Sequence, residues 1–226
     1  MSNSSMSRVN LYDTRADHGA VTAESPLAYS IQRSGAPAPS VDSRIVLREH
    51  AFLGQLILRG GAIVLDEALR EVLALGLPGR PNTLSWDASG ERSIQWLSPD
   101  EWLLIVPGGE AFALERRLRE RLGDASFAIV DVSGGQTLLE LEGVAVPELL
   151  MKSVVYDVDL THFTVGKGVT TVFAKATAIV RRSAETRWEL VVRRSFADYC
   201  YRWLLDAGEE YAIGVEAGDE SRGAMP

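Results

Sequence analysis

The sequence predicts an α+β protein built from a duplicated strand-strand-helix-strand-strand-strand-helix unit, with mostly antiparallel sheets and helices on one sheet face. Three observations carry this prediction. The run Gln55-Leu56-Ile57-Leu58-Arg59-Gly60 and the run Thr137-Leu138-Leu139-Glu140-Leu141-Glu142-Gly143 each end in glycine, and an amphipathic helical pattern follows each. Tryptophan-led strands recur downstream, Trp102–Val106 and then Trp188–Val192. The two glycines stand 83 residues apart and the two tryptophans 86, whereas solenoid units run about 20–50 residues. One helix per three-strand set is the third sign, and it fits antiparallel neighbours with helices gathered on one side.

Within the first half-repeat, residues 43–124, Ile45–Leu47 and Gln55–Leu58 open as strands. Ile63–Leu75 is helical, because Ile63, Leu65, Ala68, Leu69, Val72, Leu73 and Leu75 form a broad apolar face opposite Asp66, Glu67, Arg70 and Glu71. Gly76 and Pro78-Gly79 are expected to stop it. Thr83–Trp86 and Ser93–Leu97 flank the turn Asp87-Ala88-Ser89-Gly90, and Ser98-Pro99-Asp100-Glu101 leads into Trp102–Val106. Glu110–Leu122 then reads as a helix that Gly123 ends. In the second half-repeat, residues 125–213, the order returns: strands Ala128–Val132 and Thr137–Leu141, helix Val146–Ser153 with Pro147 in its first turn, hairpin Val169–Ala174 and Thr177–Arg181, strand Glu189–Val192, and helix Phe196–Ala207.

The flanks read differently. Residues 1–42 are rich in Ser, Ala and Pro, and are either a disordered tail or an extended N-terminal arm that orders on a partner. Leu27, Tyr29 and Ile31 alternate at strand spacing, which favours the arm. Residues 214–226 read as a frayed, flexible C-terminal tail.

Composition excludes several classes of function. A net charge of −8 argues against general nucleic-acid binding, which needs clustered Lys and Arg. Arg181-Arg182 and Arg193-Arg194 are the basic concentrations near strands, and both pairs are expected on a solvated or partner-facing edge. A single cysteine, Cys200, rules out an internal disulfide and a multi-thiolate zinc site. His18, His50 and His162 have no ligand spacing. No apolar run approaches the roughly 20 residues that span a bilayer, and the first 30 residues lack a signal-peptide core. A cytoplasmic location, without membrane or nucleic-acid partners, is the expectation.

Motifs that could carry chemistry each meet a stronger structural reading. Gly166-Lys167-Gly168 lacks the longer loop and following helix of a phosphate cradle, so a turn is expected. Ser133-Gly134-Gly135 lacks the frame of a nucleophile elbow and reads as a tight strand connection. Cys200, between Tyr199 and Tyr201, has no activating base nearby in sequence. Asp157/Asp159 and Asp100/Glu101 could serve acid–base chemistry, but acids at loop starts are usually caps and turn formers. Trp86, Trp96, Trp102, Trp188 and Trp203 read as core or interface anchors. No residue is assigned a catalytic, cofactor-binding or metal-binding role.

The second half resembles the glycine-cleavage T-protein (aminomethyltransferase) family, whose folate-binding domain is itself a duplicated α+β unit. The matching stretches are Val130-Asp131-Val132-Ser133, Leu139-Glu140-Leu141-Glu142-Gly143, Leu149-Leu150, Tyr156-Asp157-Val158 and Phe163-Thr164-Val165-Gly166. Within that group the chain is similar to the gamma subunits of heterotetrameric sarcosine oxidases over roughly Ser25 to Ala207. That similarity rests on Ser25-Pro26-Leu27, Trp96-Leu97-Ser98-Pro99-Asp100-Glu101-Trp102-Leu103, Val130-Asp131-Val132-Ser133-Gly134, the run Arg193–Tyr199, and Trp203-Leu204. The resemblance implies a bacterial complex of alpha, beta, gamma and delta subunits. Such a complex oxidatively demethylates sarcosine to glycine and hydrogen peroxide and, with tetrahydrofolate, forms methylene-tetrahydrofolate. It also implies FMN, FAD, NAD and zinc, held by the other subunits and not by this chain.

Where active aminomethyltransferases carry paired aspartates on a hairpin strand, this chain reads Lys175-Ala176-Thr177-Ala178-Ile179-Val180-Arg181-Arg182, without a carboxylate. The further C-terminal barrel of that family is not expected here, and the cysteine motif of its iron–sulfur-maintenance branch does not match Cys200. The expectation is therefore a non-catalytic structural subunit, contacting partners through its N-terminal arm and through exposed aromatics such as Tyr199 or Trp203. The alternative is a stand-alone folate- or one-carbon-binding protein of the same fold.

Overall fold

Strand alternation and helical periodicity become two sheets in the computed structural model, which describes residues 24–33 and 36–216. A short helix, α1 (Ala28–Arg33), precedes the first half. That half runs β1 (Val46–His50), β2 (Gly54–Gly60), α2 (Ala62–Leu73), β3 (Leu84–Trp86), β4 (Ser93–Ser98), β5 (Glu101–Val106) and α3 (Ala111–Leu122). The second half repeats it with β6 (Phe127–Asp131), β7 (Gln136–Glu142), α4 (Val146–Met151), β8 (Gly168–Phe173), β9 (Ala176–Arg182), β10 (Arg187–Arg193) and α5 (Ala197–Ala207). A last strand, β11 (Gly214–Glu216), follows.

Strand pairing crosses the boundary between the copies. One sheet has the order β11-β1-β7-β10-β9-β8 and the other β3-β4-β5-β2-β6. Each half thus gives its first strand to the sheet of the other: β1 lies antiparallel to β7, and β6 antiparallel to β2. The repeated glycines make room for this exchange. Gly60 (φ +154°) and Gly143 (φ +149°) both adopt backbone that a Cβ disfavours. A Cβ on Gly143 would lie 2.1 Å from the Arg44 carbonyl oxygen, and one on Gly60 3.1 Å from that of Ser126. Arg44 and Ser126 lead into the exchanged strands β1 and β6, so the signature glycine of each copy is where the other copy's strand enters.

Burial alternates along the central strands and separates three cores. On β5, Trp102, Leu104 and Val106 face α2 and α3, while Leu103 and Ile105 face the other sheet. On the six-stranded sheet, Leu139, Leu141, Trp188, Leu190 and Val192 pack with residues of α4 and α5, while Leu138, Ile179 and Val191 meet Leu103 and Ile105. The layers therefore run helix, sheet, sheet, helix, with each sheet covered by helices on one face only. A strand buried on both faces reads as a continuous apolar run, which is why Trp102-Leu103-Leu104-Ile105-Val106 shows no polar alternation.

Three local readings are corrected. Leu27, Tyr29 and Ile31 do not lie on an extended arm, because Ala28–Arg33 is helical. Leu27 and Ile31 share a helix face at four-residue spacing; Leu27 is fully buried, and Ile31 N–H bonds Leu27 O at 2.8 Å. Gly214–Glu216 is a strand parallel to β1, not a frayed tail, since Gly214 N–H bonds Ile45 O and Val215 N–H bonds Pro37 O. Helix α2 ends before Gly76: Ala74 takes the left-handed conformation and donates its N–H to Arg70 O.

A charged ladder ties the β11-β1-β7 margin together. Arg48 on β1 reaches Glu140 (2.8 Å) and Glu142 (2.7 Å) on β7, and Glu216 on β11. His50 Nε2 lies 2.9 Å from the second Glu140 oxygen. Burial works against the charge on Glu140, but the hydrogen bond and charge of His50, with Arg48 and Arg187, hold its pKa at about 2.

The strand-entry geometry makes the two repeated glycines unequal. Gly143→Ala must displace backbone and is expected to cost ~3 kcal/mol or more, against about 1–2 kcal/mol for Gly60→Ala. Urea denaturation of the two variants checks the ranking, and equal losses would show that the close approach at Arg44 is not the controlling contact.

Candidate functional site

Four polar side chains carried inward by strand alternation, Ser93, Gln95, Arg181 and Glu189, lie in the layer between the sheets. β9 turns Ile179 and Arg181 into that layer. Arg181 is 1% exposed. Its Nη2 donates to Ser93 Oγ on β4 at 2.8 Å, and its Nε lies 2.8 Å from Glu189 Oε2 on β10, off the direction of a hydrogen bond. Gln95, also on β4, donates from Nε2 to Trp96 O (2.7 Å) and across to Gly168 O on β8 (2.9 Å). A Cβ on Gly168 would lie 2.0 Å from Gln95 Oε1, so a larger residue there would displace the Gln95 amide from this position. The arrangement is a strut that fastens β4 of one sheet to β8, β9 and β10 of the other.

A guanidinium stays protonated throughout the physiological range and cannot act as a base. Its charge is compensated inside the protein by Glu189, which is itself 9% exposed. Arg182 is buried as well: it donates to Phe163 O (2.8 Å) and Glu185 O (3.0 Å) and sits over the Trp188 ring. The Arg181-Arg182 pair is therefore not on a solvated or partner-facing edge. Both guanidinium groups instead satisfy interior acceptors, whereas Arg193 and Arg194 are exposed.

The remaining motifs fall in separate places. Gly166-Lys167-Gly168 is the loop into β8: Lys167 Nζ donates to His162 O and lies over the Tyr156 and Phe163 rings, while Gly166 N–H bonds Arg182 O. Ser133-Gly134-Gly135 is the β6–β7 turn, where Ser133 Oγ accepts from Gln55 N–H (2.9 Å) and Gly134 has φ +77°. Cys200 is fully buried on α5, and burial pushes its thiol up to about 11. Asp159 accepts from the Thr161 hydroxyl and N–H, which lower its pKa, and Asp157 accepts from Asp159 N–H. Asp100 accepts from Ser98 and Arg59, which lower its pKa. Asp157, Asp159 and Asp100 are turn formers, whereas Glu101 opens β5 and lies 3.6 Å from Arg59 Nε.

Trp102 and Trp188 are core residues, and Trp86, Trp96 and Trp203 are half-buried. Tyr199 and Trp203 are not exposed anchors on α5: they pack against the core with ring centroids 6.3 Å apart, and Trp203 Nε1 donates to Ser153 Oγ. Phe196, just before α5, is the exposed aromatic there. Among the described residues no group of three or more His, Cys, Asp or Glu could hold a metal ion, and no helix is long and apolar enough to cross a membrane. His18 lies outside the described residues.

Sequence reasoning missed two polar clusters. One is the Arg48–Glu140–His50 ladder. The other is Glu49, 4% exposed, whose oxygens accept from Ser25 Oγ (2.7 Å) and Thr137 Oγ1 (2.8 Å) and so dock the N-terminal segment onto β1 and β7. The available signal was an acid inside an apolar strand, as in Leu139-Glu140-Leu141.

Removing one partner of the strut should be costly. Arg181→Ala leaves Glu189 as an uncompensated buried carboxylate and is expected to lose about 3–5 kcal/mol in urea denaturation. Arg181→Met combined with Glu189→Met should recover most of that loss. A single Arg181→Ala variant as stable as the parent would mean that Arg181 does not hold the sheets together.

Residues 60–210 match the family model described as sarcosine oxidase, gamma subunit family. The gamma subunit of sarcosine oxidase from Corynebacterium sp. (strain P-1) is 34% identical over 178 residues, which is 76% of this chain and 84% of that protein. That from Corynebacterium sp. (strain U-96) is 32% identical over 194 residues, covering 85% and 93%. Among solved structures, a chain of the heterotetrameric sarcosine oxidase from Corynebacterium sp. U-96, in complex with pyrrole 2-carboxylate, superposes with a TM-score of 0.73 at 31% identity, covering 84% of this chain and 96% of that one. The glycine cleavage system aminomethyltransferase T from Bartonella henselae matches with a TM-score of 0.61 at 15% identity over 85% of this chain and 58% of its own, a likeness of fold. On the extent of these matches, the chain belongs to the sarcosine oxidase gamma subunit family.

Proposed function

We propose that this chain is the structural, non-catalytic gamma subunit of a heterotetrameric sarcosine oxidase, where it holds alpha, beta and delta subunits together. In this reading the assembly oxidatively demethylates sarcosine to glycine and hydrogen peroxide, and with tetrahydrofolate forms methylene-tetrahydrofolate. FMN, FAD, NAD and zinc are assigned to the partner subunits. The observation that carries the reading is Arg181. Where the related folate enzymes present an acid, β9 presents a buried guanidinium already engaged by Ser93 and Glu189. A second observation supports it: the chain is similar, over most of its length, to subunits of an enzyme solved as a heterotetramer.

Co-expression with the candidate partner subunits, followed by intact-mass analysis and flavin spectra, tests the proposal. The expected result is a complex of four different chains whose flavin absorbance is absent from this chain purified alone. A chain that stays monomeric beside those partners would overturn the reading. Saturable tetrahydrofolate binding by the isolated chain would favour a stand-alone folate-binding role instead.

A further inference from the structure

The margins of the two sheets are treated unequally. β3 and the start of β8 lean on each other, with Leu84 N–H bonding Gly166 O (2.9 Å) and Gly168 N–H bonding Asn82 O (3.0 Å). The far end of β8 meets Val154 through a bridge at Phe173, and β11 donates Val215 N–H to Pro37 O. β6 differs. Along its outer side, among the described residues, no backbone group bonds it.

Which groups point outward follows from the ladder. Val132 N–H bonds Gln55 O across to β2, whereas Gly60 N–H bonds Asp100 O on the β5 side. In an antiparallel pair successive residues alternate their hydrogen-bonding direction. Through the register Ile57↔Val130 and Arg59↔Ala128, the backbone of Ala128 and Val130 therefore faces β2, and that of Phe127, Ile129 and Asp131 faces out. Arg119 Nη2 from α3 reaches Ile129 O at 2.8 Å, as this direction requires. The other outward groups have no protein partner among the described residues.

The sequence of this edge does little to keep other strands away, its one charged residue being Asp131. Phe127-Ala128-Ile129-Val130-Asp131-Val132 contains no Pro, Lys or Arg, the residues that usually guard an edge. Val130, directed toward the inter-sheet side, is 52% exposed, and Ala128 is exposed beside it. Repeated main-chain donors and acceptors at strand spacing, with small apolar side chains alongside, fit another extended backbone better than a helix or a small ligand.

We propose that β6 is a docking edge on which an extended segment of another subunit adds as a further strand of the five-stranded sheet. This rests on the heterotetrameric reading above, which favours a different chain over a second copy of this one as the occupant.

Residue-resolved hydrogen–deuterium exchange on the full chain, alone and in the purified complex, reads the proposal directly. The amides of Ile129 and Asp131 should slow on the order of 10-fold or more on assembly, while those of Ala128 and Val130, bonded to β2 in both states, change little. A folded Ala128→Lys/Val130→Lys variant, its thermal melt unchanged, should lose co-purification with the partners. Rapid exchange at Ile129 and Asp131 in an intact complex, or undiminished assembly of the folded variant, overturns the docking edge and leaves the subunit assignment standing. Strong protection of both amides in the chain alone also overturns it, because the edge is then covered by a second copy or by residues 1–23. Failure of the parent chain to assemble at all removes the subunit assignment and the docking edge together.

Discussion

The architecture depends on two glycines through which the halves of the chain exchange strands. Gly60 and Gly143 end equivalent strands and hold nearly equal backbone angles. Each lies against the backbone that carries the other half's first strand into its sheet. A side chain at Gly143 would force the backbone entering β1 to move, and one at Gly60 would crowd the backbone entering β6 by a smaller amount. The exchange makes each sheet a product of both copies, so the halves share a core by construction.

Sharing a core constrains what can occupy the space between the sheets. The aliphatic cluster of Leu103, Ile105, Leu138, Ile179 and Val191 fills its centre, and Arg181 with Ser93, Glu189 and Gln95 fastens the side nearest β4 and β8. A buried ion pair of this kind brings little net stability relative to apolar packing, yet breaking one side of it is costly. Its visible effect is to fix the relative position of the sheets. A fixed pair of sheets suits the structural role proposed above.

Much of this was legible in the sequence. The helices and strands follow from periodicity, and the duplication follows from the recurring glycine and tryptophan. Pairing was not legible, because alternation in Ile45–Leu47 or Ala128–Val132 identifies a strand without naming its neighbour. The segment around Leu27, Tyr29 and Ile31 was misread since so short a stretch fits a period of two as well as the four-residue spacing of Leu27 and Ile31. β11 is too short to carry a pattern, and its strand conformation comes from Ile45 and Pro37. Arg181-Arg182 looked like a surface pair because charge normally marks solvent. Only the tertiary placement of Ser93, Glu189 and Phe163 supplies interior partners for the two guanidinium groups.

Strand exchange requires the two sheets to be lost together, and native-state hydrogen exchange across a urea series tests that claim most directly. The amides of β5, in the five-stranded sheet, and of β10, in the six-stranded sheet, should open with one free energy and one denaturant dependence. Exchange of β5 through a cheaper opening, while β10 remains protected, would contradict the single interleaved core.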